Sequence, residues 1–355
     1  MDKKQQLVEY LIAWYPENAR DLPWRRDKEP YHVWLSEIML QQTRVEAVKE
    51  YYKRFLEALP DIRALAEVPE DRLLKLWEGL GYYNRVRNLQ KAAQTIMNEY
   101  DGSFPTTYEQ IRGLSGIGDY TAGAIGSICF ELQTPAVDGN VLRVYTRVME
   151  DASNIDKQST RNLIRDELSE VYPKGRCGIL TQSIMELGAT VCVPNGAPKC
   201  TECPLNSICG ACENNSWQRY PVRDEKKNRR IEERTVFVLR CGDKYAVQKR
   251  RNKGLLAGLW EFPNVEGRLD EQQAADVAAK WQTSPKLMEM NYNYTHIFSH
   301  VEWRMTAYYM EVQKMVKPYT WASIEEMDSD VAIPSAFRPF LDIAKKNAGY
   351  EVKES

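Results

Sequence analysis

Glu37 is the first residue from which a chemistry can be argued. It sits in Trp34-Leu-Ser-Glu-Ile-Met-Leu-Gln-Gln-Thr43, where Val33 and Leu40 are its neighbours one helical turn behind and ahead. A carboxyl at the rim of an apolar face loses hydration, so its pKa rises and it can hand a proton to a base near neutrality. The plainer reading is a solvated helix carboxylate. A second acid, Asp138, stands in Val137-Asp-Gly-Asn-Val-Leu-Arg-Val144 at the entrance to a helical stretch, where it is at least a candidate N-cap. Between them lies Leu114-Ser-Gly-Ile-Gly-Asp-Tyr-Thr-Ala122. Gly116 and Gly118 permit positive φ, and a helix starting near Thr121 would aim unpaired N–H groups at an anion. With a short helix over about Thr107–Arg112 this is a helix-hairpin-helix, a device that holds a nucleic-acid phosphate without reading sequence. Finally, five of the eight cysteines fall between Cys192 and Cys212. Such bunching favours metal ligation over a disulfide framework.

The elements that must position these groups divide the chain in two. Its 355 residues suffice for two domains, and 43% apolar content supports real cores. From Leu7 to about Cys212 apolar residues recur at three- and four-residue steps, as in Trp34, Ile38, Val45, Val48, Tyr52 and Phe55. Breakers such as Leu59-Pro60-Asp61, Asp101-Gly102-Ser103 and Pro173-Lys174-Gly175 separate the segments. Residues Trp217 to Arg234 are charged and poor in apolar side chains and read as a linker. Thr235–Cys241 is a β-type run, Gly242-Asp243 turns it into Lys244–Gln248, and Tyr292–His300 and Trp303–Val312 repeat the character around a helical stretch near Asp270–Trp281. The expected fold is multidomain: an all-α domain over 1–216, a linker over 217–234 and a smaller α/β domain over 235–350. The net charge of −2 gives no broad nucleic-acid footprint, although a groove can be locally positive on a neutral protein. No stretch approaches membrane-spanning length and the N-terminus carries no signal-type apolar run, so a cytoplasmic protein is expected, nucleoid-associated if bacterial.

With the hairpin followed by Asp138, the chain resembles the helix-hairpin-helix DNA glycosylase superfamily. Two residue choices place the resemblance within it. A lyase of the endonuclease III type has a lysine where Tyr120 stands here, and tyrosine supplies no amine for a Schiff base, so hydrolysis by water is expected. The run Ser-Glu-Ile-Met-Leu-Gln-Gln-Thr is similar to the adenine DNA glycosylase family, whose Glu at this position protonates N7 of adenine. The resemblance implies that duplex DNA with adenine opposite 8-oxoguanine or guanine is the partner and that the adenine is extruded from the stack. It makes Asp138 the stabiliser of an oxocarbenium ion, by its charge or by transient covalent capture, with Asn140 orienting it and Tyr120 placing the sugar. Trp24, Arg25 and Gln182 match the adenine pocket; Leu80 and Tyr82 match the wedge loop in Gly79-Leu-Gly-Tyr-Tyr83, with Gln42 and Thr43 near the DNA from the other side and Gly116, Gly118 and Thr121 on the backbone. Trp24 and Leu80 are equally readable as ordinary core residues.

The same resemblance assigns Cys192, Cys200, Cys203 and Cys209 to a [4Fe–4S] cluster. The first spacing, C-x7-C, is one residue longer than the family's C-x6-C, and Cys212 offers a competing pair of C-x2-C knuckles with a zinc-like look. Lys253-Gly-Leu-Leu-Ala-Gly-Leu-Trp-Glu-Phe-Pro263 resembles the opening of a Nudix-type fold, but Leu269–Ala278 lacks most carboxylates of a Nudix hydrolase helix. Thr295-His-Ile-Phe-Ser-His300 matches the adenine glycosylase loop that recognises 8-oxoguanine, which gives Phe298, Ser299 and His300 that role. The competing functions are a pyrimidine-directed lyase, disfavoured by Tyr120; a non-catalytic lesion sensor, disfavoured by the presence of both acids; and a nucleotide hydrolase, disfavoured by the missing carboxylates.

Overall fold

Helical periodicity in the first half produces helices in the computed structural model, which describes residues 2–225 and 228–352. Helices Lys3–Asn18, Gly139–Met149 and Cys177–Thr190 enclose a core of Leu7, Leu11, Leu142, Val144, Val148, Leu180 and Leu187, each almost fully buried. Burying one such side chain contributes about 1.5–3 kcal/mol relative to exposure. Helix Pro30–Leu40, entered through proline at its first turn, packs on helix Asp119–Phe130. These two helices carry Glu37 and Tyr120. By packing, the first unit comprises the residues up to Glu67 together with Arg87–Glu225.

The second unit holds residues from 226 onward and also Val68–Val86. Among the described residues its sheet has seven strands: β1 Arg230–Cys241, β2 Lys244–Lys249, β3 Trp260–Glu261, β4 Asn264–Glu266, β5 Pro285–Ile297, β6 Val301–Val312 and β7 Thr320–Ala322. The order is β3-β2-β1-β6-β5, with β4 on β1 and β7 on β2; β1 and β6 run parallel and the other pairs antiparallel. Alternation along β1 sends Val236 and Val238 to one face and Phe237 and Leu239 to the other. Helix Arg338–Asn347 covers the first face through Phe340 and Leu341, and helix Glu271–Lys280 covers the second through Ala274 and Ala278. The latter helix begins at Asp270 with a capping box to Gln273.

Several elements depart from the sequence expectation. β1 begins at Arg230, inside the segment read as linker, because its pairing with β6 extends from Arg230↔Val301 onward and needs no apolar side chains to form. Trp217–Arg219 is a turn of 3₁₀ helix in the same segment, while Lys226 and Lys227 lie outside the described residues. The hairpin helix starts at Asp119 rather than Thr121. Short strands β3, β4 and β7 carried no readable period.

Candidate active site

Helix Pro30–Leu40 delivers Glu37 into a cleft of about 660 Å³, where its side chain is nearly buried. Tyr120 Oη donates to Glu37 Oε2 at 2.5 Å. Burial raises the Glu37 pKa to about 7; the Tyr120 hydrogen bond opposes the rise, the nearby Asp138 carboxylate adds to it and the Arg25 cation opposes it. The rim position read from Val33 and Leu40 is therefore reproduced, since both line the same cleft. The Tyr120 hydroxyl, expected to place the sugar, donates its hydrogen bond to the acid.

Asp138 lines the cleft as the N-cap of helix Gly139–Met149. Its Oδ1 accepts from the backbone N–H groups of Asn140 and Val141, both at 2.8 Å, and its Oδ2 accepts from Asn140 Nδ2 at 2.7 Å. Capping and chemistry are thus not alternatives here: the cap fixes the carboxylate that the cleft presents. Burial raises its pKa, while the N–H donors of Val141 and Asn140 and the Arg143 cation favour the ionised form. Asn140 Oδ1 in turn accepts from Arg143 Nη2 at 2.8 Å, and the same guanidinium donates to Gly188 O and Cys192 O.

The cleft also gathers Trp24, Arg25, Gln42, Thr43, Asn140 and Gln182. Trp24 is buried, with its ring edge-on to Tyr52, so the core reading and the wall-of-the-cleft reading both hold for it. Gln182 Oε1 accepts from Tyr15 Oη at 2.5 Å. Sequence reasoning missed Tyr15, Arg20, Arg143, Glu186 and Met185, whose positions depend on tertiary contacts without a local pattern.

In the hairpin, Gly116 has φ +77, and a Cβ there would stand 2.6 Å from Asn88 Cβ. Gly118, expected to share the positive φ, has φ −95 and serves as the extended N-cap of helix Asp119–Phe130. Thr121 is buried, at 2% exposure, and the helix N-terminus lies two residues earlier than expected, at Asp119.

The predicted wedge-loop and lesion-reading residues lie in the second unit. Leu80 is buried and Tyr82 is exposed at φ +48. Phe298 packs edge-on to Trp303, with centroids 4.9 Å apart, as a core phenylalanine would, while Ser299 and His300 are exposed. Phe298 N donates to Val301 O at 2.8 Å, closing the turn that holds Ser299 and His300 outward. Ser299 Oγ lies 2.9 Å from Tyr82 Oη.

Cys192, Cys200, Cys203, Cys209 and Cys212 surround one small apolar cavity. Among the described residues no three His, Cys, Asp or Glu side chains converge on a point that would hold a single ion. Arg147 Nη1 lies 3.2 Å from Cys192 Sγ, placing a cation against the thiol ring, and its guanidinium stacks on Trp217. The thiols around this cavity, with the Arg147 cation beside Cys192, have the chemistry to hold an anionic thiolate-bound iron–sulfur cluster.

Fold and cleft define the class of protein. Residues 35–174 match the HhH-GPD superfamily of base excision DNA repair proteins, and residues 235–342 match the NUDIX domain. A thermostable thymine-DNA glycosylase structure is similar over 60% of this chain and 97% of its own, with TM-score 0.55 and 26% identity. Adenine DNA glycosylase of Buchnera aphidicola subsp. Acyrthosiphon pisum is 31% identical over 95% of this chain and 97% of its own length. That of Rattus norvegicus is 31% identical over 95% of this chain and 77% of its length. The chain belongs to the adenine DNA glycosylase family and is a DNA glycosylase, a hydrolase of N-glycosyl bonds.

Proposed function

We propose that this glycosylase removes adenine mispaired with 8-oxoguanine or guanine in duplex DNA, by acid-assisted hydrolysis without a lyase step. The observation that carries the reading is the meeting of a protonatable Glu37 and a capped Asp138 in one cleft. The extruded adenine enters between Trp24, Arg25 and Gln182, and the Glu37 proton passes to N7. The C1′–N9 bond then breaks with its electron pair leaving on neutral adenine. Positive charge on the sugar is met by the Asp138 carboxylate, which Asn140 and Arg143 hold in place. Water adds to C1′, and the proton it loses restores the acid. Tyr120 acts by orienting Glu37, leaving Oε1 free for the base. Cys192, Cys200, Cys203 and Cys209 would hold a [4Fe–4S] cluster, whose contribution is to pin the loop. Tyr82, Ser299 and His300 would read the base opposite the adenine, with Phe298 supporting their turn. The protein would act wherever the cell's DNA lies, in the cytoplasm and on the nucleoid of a bacterium. Single-turnover base release on duplexes carrying adenine opposite 8-oxoguanine, guanine and thymine tests the proposal. The expected order is fastest, slower and negligible; equal rates on all three would overturn it.

A further inference from the structure

Glu186 touches neither the acid nor the expected base, yet it is a fully buried carboxylate on helix Cys177–Thr190. Two cations converge on it. Arg20 donates from Nε to Oε1 at 2.6 Å and from Nη2 to Oε2 at 2.9 Å, and Arg25 Nη2 donates to Oε2 at 2.8 Å. Burial alone would raise its pKa, but the hydrogen bonds from Arg20 and Arg25 more than offset this and hold it below the usual range, so it is charged. Arg25 also lies over the Tyr15 ring, 5.8 Å from the centroid, and lines the cleft with Glu37. The Arg25 cation already favours the ionised form of Glu37, and without its Glu186 partner it would be left to the carboxyls of the cleft, Glu37 and the capped Asp138.

We propose that Glu186 is a positioning residue that keeps the Arg25 guanidinium engaged away from Glu37, so that the Glu37 proton stays available for the base. The inference rests on the reading of Glu37 as the acid. The other groups facing Glu37 are Tyr120 and Cys129 from helix Asp119–Phe130 and Asp138 at the start of Gly139–Met149. Arg161 lines the cleft from helix Gln158–Ser169, and Tyr15 of the first helix faces Arg25 and Glu186. Of these, Asp138 strengthens proton retention, Tyr120 weakens it through its hydrogen bond, and Arg25 is the cation that Glu186 governs.

The test is the pH profile of single-turnover base release by the full-length protein at saturating enzyme, with melting temperature measured for every variant. In Glu186→Gln the alkaline limb should move down by about one pH unit, the low end of what an opposite charge at close range does. Above that limb the rate should fall about tenfold, while the rate at the acidic plateau holds. Glu186→Asp, which keeps the charge, should restore most of the shift. Arg25→Met should move the limb upward, even though weaker base binding lowers the rate. A merely structural Glu186 would reduce the rate at all pH values and leave the limb in place. If Glu186→Gln does not fold, Glu186→Asp decides: its shorter carboxylate loosens the bond to Arg25 and should move the limb down by a fraction of that unit. An unmoved limb in the folded variants overturns the inference. Near-normal base release by Glu37→Gln would instead sink the assignment of the acid, so the two failures are distinguishable.

Discussion

Replacing Glu37 by glutamine keeps the side-chain volume and removes the proton. Because the carboxyl is buried and reached by Tyr120 Oη, the amide can still accept that hydrogen bond, and the cleft should keep its shape. Glu37→Gln should therefore bind a mismatch duplex with little change and lose base release by at least about a hundredfold, the lower range of general-acid contributions. In the unaltered protein the active form carries the proton, and the folded pKa is raised to about 7. The single-turnover rate should then be flat below that value and decline as pH rises through it; a rate that climbs over the same interval would contradict the acid role. Periodicity and turn chemistry alone gave a rim carboxyl at Glu37 and a candidate N-cap at Asp138; it was the resemblance of their runs to the family that singled them out for chemistry. Glu186 was not legible, because what makes it matter is pairing with Arg20 and Arg25 across chain separations of 166 and 161 residues. The start expected at Thr121 shows the converse: the glycine turn announced a helix N-terminus, but not that the helix begins two residues earlier, at Asp119.

At the scale of elements, the site depends on how closely helix Cys177–Thr190 approaches helix Gly139–Met149. Gly188 makes that approach possible, since a Cβ there would lie 2.6 Å from Asn140 Cβ and 3.2 Å from Asn140 Cα. Gly188 O also accepts from Arg143 Nη2 at 2.7 Å. Gly188→Ala should push the first turn of the Asp138 helix outward, cost about 1–3 kcal/mol as overpacking does, and lower base release more than duplex binding. A melting temperature and rate equal to the parent's would show that the contact relaxes without consequence. Helices and the long strands were legible because their periods run over several turns or residue pairs. The parallel pairing of β1 with β6 was not, since strand periodicity gives a face and no neighbour. Nor did anything local announce that Val68–Val86, helical and embedded in the helical half of the sequence, packs with residues beyond 226.

That exchange governs how the whole molecule can be tested. Cutting the chain after Asp224 would remove the groups on which Val68–Val86 rests: Lys75 Nζ donates to Met327 O and Val331 O at 3.0 and 3.1 Å, and Glu78 Oε1 accepts from Ile333 N at 2.9 Å. Loss of selectivity in such a truncation would not distinguish lesion reading from collapse of this segment, so point variants are the better instrument. The cysteine ring allows one of them: Cys192→Ser should lose bound iron, whereas Cys212→Ser should retain it, and the reverse would move the ligand set to Cys200, Cys203, Cys209 and Cys212. The other concerns the base opposite adenine. Ser299 and Tyr82 share a hydrogen bond of 2.9 Å at an exposed turn, and a neutral hydrogen bond is worth about 0.5–1.5 kcal/mol net. Ser299→Ala should therefore shrink the ratio of single-turnover rates on 8-oxoguanine and guanine duplexes by about twofold to tenfold at subsaturating substrate. If the two hydroxyls present one surface to the base, Tyr82→Phe should shrink the same ratio, and the double variant should fall short of the product of the single effects. Additive losses would mean that each contacts DNA separately. A ratio unmoved by either substitution would remove this turn from lesion recognition and leave discrimination to the helical unit.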